Sequence, residues 1–214
     1  MNKYIYPLVD NPFRKKDLKS AIKVIKTGKI TMSTNVTNFE NQFSKKVRNN
    51  FSVMTNSGSS ANLLALQCLI NPYRKKKLNK GDEVLIPALC WSTSLWPIIQ
   101  SGLKPVFVDV DINNLNIDLN DMERKISKKT KAIMLVHVLG NCPNMKLLIK
   151  LKKKYNLILI EDTCESLGTK YNGKFLGTFG EFSTYSFYTS HQISSGEGGM
   201  ISCKSREDYE IIRS

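Results

Sequence analysis

The chain has 214 residues, of which 41% are hydrophobic and 23% charged. That balance excludes a disordered chain, and the length suffices for one domain of ordinary size with a sizeable core. The formal net charge of +14 leaves three classes of anionic partner open: nucleic acid, a membrane surface or a small anionic substrate.

The basic clusters Arg14-Lys15-Lys16, Arg74 to Lys77 and Lys152 to Lys154 are short and carry no interleaved aromatic platform. They read as a solvated lysine-rich surface, so neither nucleic acid nor membrane is expected as a partner. No apolar run approaches the roughly eighteen residues that a membrane span needs. The N-terminal MNKYIYPLVDNPF lacks the apolar core of a signal peptide, and the expected location is cytoplasmic. The five cysteines, Cys68, Cys90, Cys142, Cys164 and Cys203, are odd in number, widely spaced and without a C-x-x-C pair. This argues against a disulfide framework and against a zinc site, and most are expected to be buried, reduced thiols.

In chain order, Asp10-Asn11-Pro12 reads as a helix start, with proline near the first helical position. Leu18, Ala21, Ile22 and Ile25 follow at helical spacing, and Gly28 ends the run. Val36, Phe39, Phe43 and Val47 mark a second amphipathic helix, and both helices are expected to be packing elements. Phe51 to Thr55 reads as a short strand. It enters Asn56-Ser57-Gly58-Ser59-Ser60 and then the apolar helical stretch Ala61 to Leu66. A strand, a small-residue turn and a helix N-terminus can hold an anion, because free amides and the helix dipole point outward and serine hydroxyls add donors. The same residues also suit a plain serine-capped helix. They form neither a Walker loop nor a dinucleotide fingerprint.

Asp82 to Pro87 is the next strand, followed by Cys90-Trp91-Ser92-Thr93-Ser94 and an apolar helix, Leu95 to Ile99. Trp91, just past a strand end, is either a core residue or a ligand-facing ring. Pro105 to Asp109 reads as a strand, Leu119, Met122 and Ile126 mark a helix, and Lys131 to Val138 is a strand carrying His137 at its end. His137 is either a core histidine or a wall of the site. Leu147 to Tyr155 is helical. Leu157 to Glu161 is the most apolar strand, hence central, and it delivers Asp162, an acid that needs a partner at such a position. Gly173 to Gly180 is a loop or hairpin. Ser183 to Met200 then combines a strand, a hydroxyl-rich run with His191, and the turn Gly196-Glu197-Gly198-Gly199. Met200 to Cys203 is a strand and Glu207 to Ile212 a helix. Alternating β and α segments with Val-, Ile- and Leu-rich strands predict a mainly parallel α/β sheet covered on both faces.

Four of these segments, NSGSSAN, the post-strand Trp91, EDTCES and SFYTSH with GEGG, resemble in order and context the DegT-type sugar aminotransferases, pyridoxal phosphate (PLP) enzymes of fold type I. The resemblance runs over nearly the whole chain. It implies the large cofactor domain of that fold, with a mainly parallel sheet of the seven-stranded type. Family members are considerably longer and carry a second, smaller C-terminal domain, so residues 1–214 are expected to be the large domain alone, apparently truncated. By the same resemblance Gly58, Ser59, Ser60 and Ser186 hold the cofactor phosphate, Trp91 stacks on the pyridine ring, Asp162 faces the ring nitrogen, and His137 is a wall of the site rather than a core residue. His191 stands where the family has its cofactor-binding lysine, and Glu165 where a Gln or His bonds the ring's phenolic oxygen. Both departures are features of the histidine-bearing nucleotide-sugar 3-dehydratase branch.

For that branch the resemblance implies loss of the C3 hydroxyl from a nucleotide-linked 4-keto-6-deoxy hexose, GDP-4-keto-6-deoxymannose foremost, in dideoxysugar and O-antigen synthesis. Pyridoxamine phosphate (PMP) is the working cofactor form, L-glutamate the amino donor, His191 the base, and a homodimer the assembly. An imidazole suits that task near neutral pH, its unperturbed pKa being about 6.5. Three other readings stay open: a sugar aminotransferase that tolerates His191, a CDP-sugar 3-dehydrase needing an iron–sulfur cluster, and a non-catalytic binding module or fragment.

Overall fold

The computed structural model describes residues 9, 10 and 12–214. Two helices, α1 (Lys15–Lys26) and α2 (Thr34–Val47), precede β1 (Phe51–Thr55) and α3 (Gly58–Ile70). Then come β2 (Glu83–Pro87), α4 (Ser92–Gln100), β3 (Lys104–Val108), α5 (Leu119–Lys125) and β4 (Thr130–Val136). The chain continues through α6 (Met145–Lys154), β5 (Ile158–Asp162) and the short hairpin β6 (Lys170–Tyr171) and β7 (Lys174–Phe175). It closes with β8 (Phe182–Ser186), β9 (Gly199–Cys203) and α7 (Arg206–Arg213).

Seven strands form one sheet in the order β1-β9-β8-β5-β4-β2-β3. Pairings from β3 through β8 are parallel, and β9 runs antiparallel to both β8 and β1. β5, formed from the stretch read as central, lies fourth of the seven. Every strand of this sheet but β9 therefore ends at one edge, where β9 begins. That edge carries the candidate site.

Alternation along the strands fills two cores. Val84, Ile86, Ala132, Met134 and Ile160 pack on one face with α3, α4 and Ile212 of α7. Leu85, Ile133, Leu135 and Leu159 pack on the other, with Met122 of α5 and Leu148 and Leu151 of α6. α3 is apolar nearly all round and is accordingly a buried helix. Phe43 and Val47 of α2 close a third cluster against Tyr185, Phe187 and Met200, through edge-to-face rings such as Phe43–Tyr185 at 4.9 Å.

Several expectations are corrected. The first helix begins at Lys15, not at Asp10-Asn11-Pro12; it follows Arg14, whose backbone N–H donates to Asp17 Oδ2 at 3.0 Å in its first turn. Asn11 lies outside the described residues. Among the described residues α1 is not a packing element: it has no buried residue, and Leu18, Ile22 and Ile25 are half or more exposed. Its apolar spacing made it helical, yet among the described residues no other element covers that stripe. Of the cysteines, all free, only Cys68 and Cys203 are buried and the other three are partly exposed. The Gly173–Gly180 stretch is a hairpin only in its first part, where Asn172 and Gly173 both take positive φ between β6 and β7. Among the described residues no helix is long and apolar enough to cross a membrane.

Candidate active site

The register of the sheet gathers the motif residues. Asp162 lies opposite Val136 on one side and Thr184 on the other. Ser186, ending β8, lies opposite Gly199, which in turn lies opposite Thr55. The NSGSS turn, Ser186 and the GEGG turn are therefore neighbours, although some 140 residues of chain separate the first from the last.

Glycine makes this approach possible. A Cβ on Gly199 would stand 2.3 Å from the Ser57 carbonyl and 2.6 Å from the Gly58 nitrogen. One on Gly58 would stand 2.8 Å from both Cys164 Sγ and Ser186 Cβ. Ser57 caps α3, its Oγ accepting from the Ser60 amide at 3.1 Å. The amides of Gly58 and Ser59 belong to the first turn, where no intrahelical acceptor exists. Ser59 is exposed, and Ser186 Oγ accepts from the Tyr188 amide at 3.2 Å.

Asp162 is buried, and its partners answer the expectation that such an acid needs them. Oδ2 accepts from Asn62 Nδ2 at 2.9 Å and from Ser94 Oγ at 2.8 Å; Oδ1 accepts from the Cys164 amide at 3.1 Å. Thr184 Oγ1 donates to Asn62 Oδ1 at 2.6 Å, which fixes the amide with its NH2 toward the carboxylate. Sequence reasoning passed over Asn62, Ser94 and Thr184. A signal existed for the first: Asn62 is the lone polar side chain within Ala61 to Leu66, and a buried amide must find a partner. Burial, and then the negative charge of Asp162, push the thiols of Cys90 and Cys164 up from their ordinary pKa.

Glu161, one residue earlier, points to the opposite face and is closed off. It accepts from His137 Nε2 at 3.0 Å and from the amides of Gly177, Phe179 and Gly180 at 2.6–2.8 Å. Burial pushes its pKa up, but the bond and charge of His137 and the backbone amides outweigh it and hold the carboxyl below the ordinary glutamate range. The reading of His137 as a wall of the site is thereby corrected: it is fully buried, with its ring against Glu161.

Glu165 joins three segments. Its Oε2 accepts from the Leu139 amide at 2.7 Å, and its backbone carbonyl accepts from Gln192 Nε2 at 2.6 Å. Through Gln192 the loop bearing His191 is tied to the turn that follows Asp162. His191 is partly exposed; its amide donates to the Tyr188 carbonyl at 3.0 Å, and the two rings meet edge to face with centroids 6.3 Å apart. Phe187 bonds Gly198 and Ser195 through backbone groups, closing the loop onto itself. Trp91 directly precedes α4, its carbonyl accepting from the amide of the same Ser94 that bonds Asp162. It is 74% exposed, which decides its open alternative against the core. Gly58, Asp162, Glu165, Ser186 and His191 are thus linked by direct contact or through one neighbour, and Ser59, Ser60 and Trp91 lie at the same edge.

Residues 12–214 match the DegT/DnrJ/EryC1/StrS aminotransferase family. The GDP-4-keto-6-deoxy-D-mannose 3-dehydratase of Escherichia coli O55:H7 is 40% identical over 207 residues, which are 97% of this chain and 53% of that protein. The lipopolysaccharide biosynthesis protein RfbH of Salmonella typhimurium is 48% identical over 181 residues, 82% of this chain and 41% of that one. The solved structure of the E. coli GDP-4-keto-6-deoxy-D-mannose-3-dehydratase with bound hydrated PLP superposes with a TM-score of 0.93 at 40% identity, covering 97% of this chain and 53% of its own. The chain spans about half the length of the curated relatives it matches.

Proposed function

The chain belongs to the DegT/DnrJ/EryC1/StrS aminotransferase family, and on that premise we propose that it serves a PLP/PMP-dependent 3-dehydratase. The reaction removes the C3 hydroxyl of a nucleotide-linked 4-keto-6-deoxy hexose, with GDP-4-keto-6-deoxymannose the first candidate. The observation that carries the reading is His191. The loop from Ser186 to Gly199 holds an imidazole and no lysine, and Gln192 and Glu165 tether it to the turn after Asp162.

The residues present fit a phosphorylated pyridine. Gly58 and Gly199 keep open a cradle that a Cβ would fill. Ser59, Ser60, Ser186 and the first-turn amides of α3 would hold the phosphate. The exposed face of Trp91 would lie on the ring, and Glu165 would meet its phenolic oxygen. When bound, the cofactor supplies an electron sink conjugated to the substrate's C4.

The chain's own residues do the rest. Asp162, held by Asn62 and Ser94, would face the ring nitrogen with its carboxylate and would favour that nitrogen's protonated form. His191 takes up a proton as base and, as an imidazolium, delivers one to the departing C3 oxygen. With no lysine in the loop, no amine there would bond the cofactor covalently, and the amino group that L-glutamate supplies would be released by water as ammonia rather than remaining on the sugar. Residues 1–214 as the cofactor-binding domain, L-glutamate as amino donor, a homodimer and a cytoplasmic location belong to the same reading.

Mass spectrometry of the product tests it. The protein is incubated with PLP, L-glutamate and GDP-4-keto-6-deoxymannose, and ammonia is assayed alongside. The expected product has lost the C3 oxygen, and His191→Ala slows its formation about a thousandfold. A product that keeps the C3 hydroxyl and gains an amine would overturn the dehydratase reading in favour of an aminotransferase.

A further inference from the structure

The turn that follows β4 contains an anomaly. Leu139 takes a left-handed backbone conformation, φ 52° and ψ 29°, which L-residues with a Cβ adopt at a cost and which glycine or asparagine would take more readily. Its apolar side chain is also 77% exposed. Neither feature helps the fold, yet the turn is firmly held. The His137 amide donates to the Asp162 carbonyl at 3.1 Å, and the Leu139 amide donates to Glu165 Oε2 at 2.7 Å. Gly140 packs close by: a Cβ there would meet the Glu165 carbonyl at 3.6 Å. A carboxylate of the candidate site thus maintains a strained turn that presents a leucine. Strain kept in this way clusters where a side chain has a task.

Other exposed apolar side chains do not share these features. Tyr188 and Ile193 are exposed on the His191 loop with ordinary φ, and Trp91 is assigned to the ring. Met32 and Leu115 are also strained and exposed, but Met32 lies in the α1–α2 loop and the Leu115 amide donates to the Asp111 carbonyl; of the three, Leu139 is the one whose amide is bonded to a member of the site.

We infer that Leu139 is a specificity-determining residue, whose side chain receives the C6 methyl of a 6-deoxy sugar and disfavours a C6 hydroxyl. This rests on the function proposed above. A 6-deoxy hexose differs from its parent in one respect, a methyl group in place of a hydroxymethyl group. An apolar side chain beside C6 gains contact with the methyl. Against a hydroxyl it offers no hydrogen-bond partner and strips hydration. Such a surface discriminates modestly, about tenfold to a hundredfold.

The test is competitive inhibition of the dehydration assay by GDP-6-deoxymannose and by GDP-mannose, in the unsubstituted protein, Leu139→Met and Leu139→Gly. The unsubstituted protein and Leu139→Met should prefer the 6-deoxy sugar by at least about tenfold. Leu139→Gly should lose that preference to within about twofold, while its melting temperature holds or rises by about 2 °C because glycine relieves the backbone. Opposite signs on stability and selectivity separate a specificity residue from a structural one. A preference unchanged in Leu139→Gly, or an unsubstituted protein that turns over substrate without any preference, overturns this inference alone. Absence of turnover overturns the proposed function and, with it, this inference.

Discussion

Glu161 and Asp162 are consecutive acids at the end of the same buried strand, and they sit in opposite kinds of environment. Glu161 accepts from the His137 imidazole just past the end of β4 and from three backbone amides that pin the 177–180 loop to the centre of the sheet. Asp162 accepts from Asn62 of α3, Ser94 of α4 and the amide of Cys164, all from elements that end or begin at the site edge. The pleat sends neighbouring side chains to opposite faces. One carboxylate is therefore spent inside the fold, and the other is held in place by the elements that form the cradle. A buried charge is tolerated at each position because donors surround it, but only one set of donors belongs to the site.

Exchanging each acid for its amide would break this comparison if it is wrong. Asp162→Asn should lower kcat/KM about a thousandfold, about 4 kcal/mol in the barrier, while changing unfolding free energy by only about 1 kcal/mol. Paired steady-state kinetics and urea denaturation read the two numbers. Glu161→Gln should do the reverse. Its new NH2 must face either His137 and Gly177 or Phe179 and Gly180, all donors, and should cost about 3 kcal/mol of stability with activity retained in the folded fraction.

The sign of the pH dependence follows from the depressed pKa of Glu161. The unfolded chain takes up a proton there before the folded one does, so the stabilisation is complete above the ordinary glutamate pKa of about 4.3 and is lost as pH falls toward the folded value. Denaturation curves of the two proteins should therefore converge in acid, and a gap constant from pH 7 to pH 3.5 would remove Glu161 from that role. The smallest effect is expected at Asn62. Asn62→Leu leaves the Thr184 hydroxyl without its acceptor and Asp162 with one donor fewer. It should cost about 1–2 kcal/mol and weaken PLP binding about tenfold, read by absorbance titration. Unchanged PLP affinity would make Asn62 a packing residue only.

Much of this arrangement was legible in the chain. The β–α alternation, the central position of Leu157 to Glu161 and the small-residue turn before Ala61 follow from local pattern, because side-chain period and backbone freedom are properties of short segments. The motif residues were likewise visible as types: an acid after a buried strand, a tryptophan past a strand end, a histidine before a glycine turn. Only the tertiary structure decided what these groups touch. Asn62 meets Asp162 across 100 residues, Ser94 across 68 and Thr184 meets Asn62 across 122, and such distances close only when strand order and register are set. The same holds for the two acids of β5. Their period-2 alternation was readable, but which face carries His137 and which carries the cradle depends on what packs against each. The apolar stripe of α1 marks the other limit. Its spacing determined a helix, and nothing in that spacing says which surface, if any, covers it.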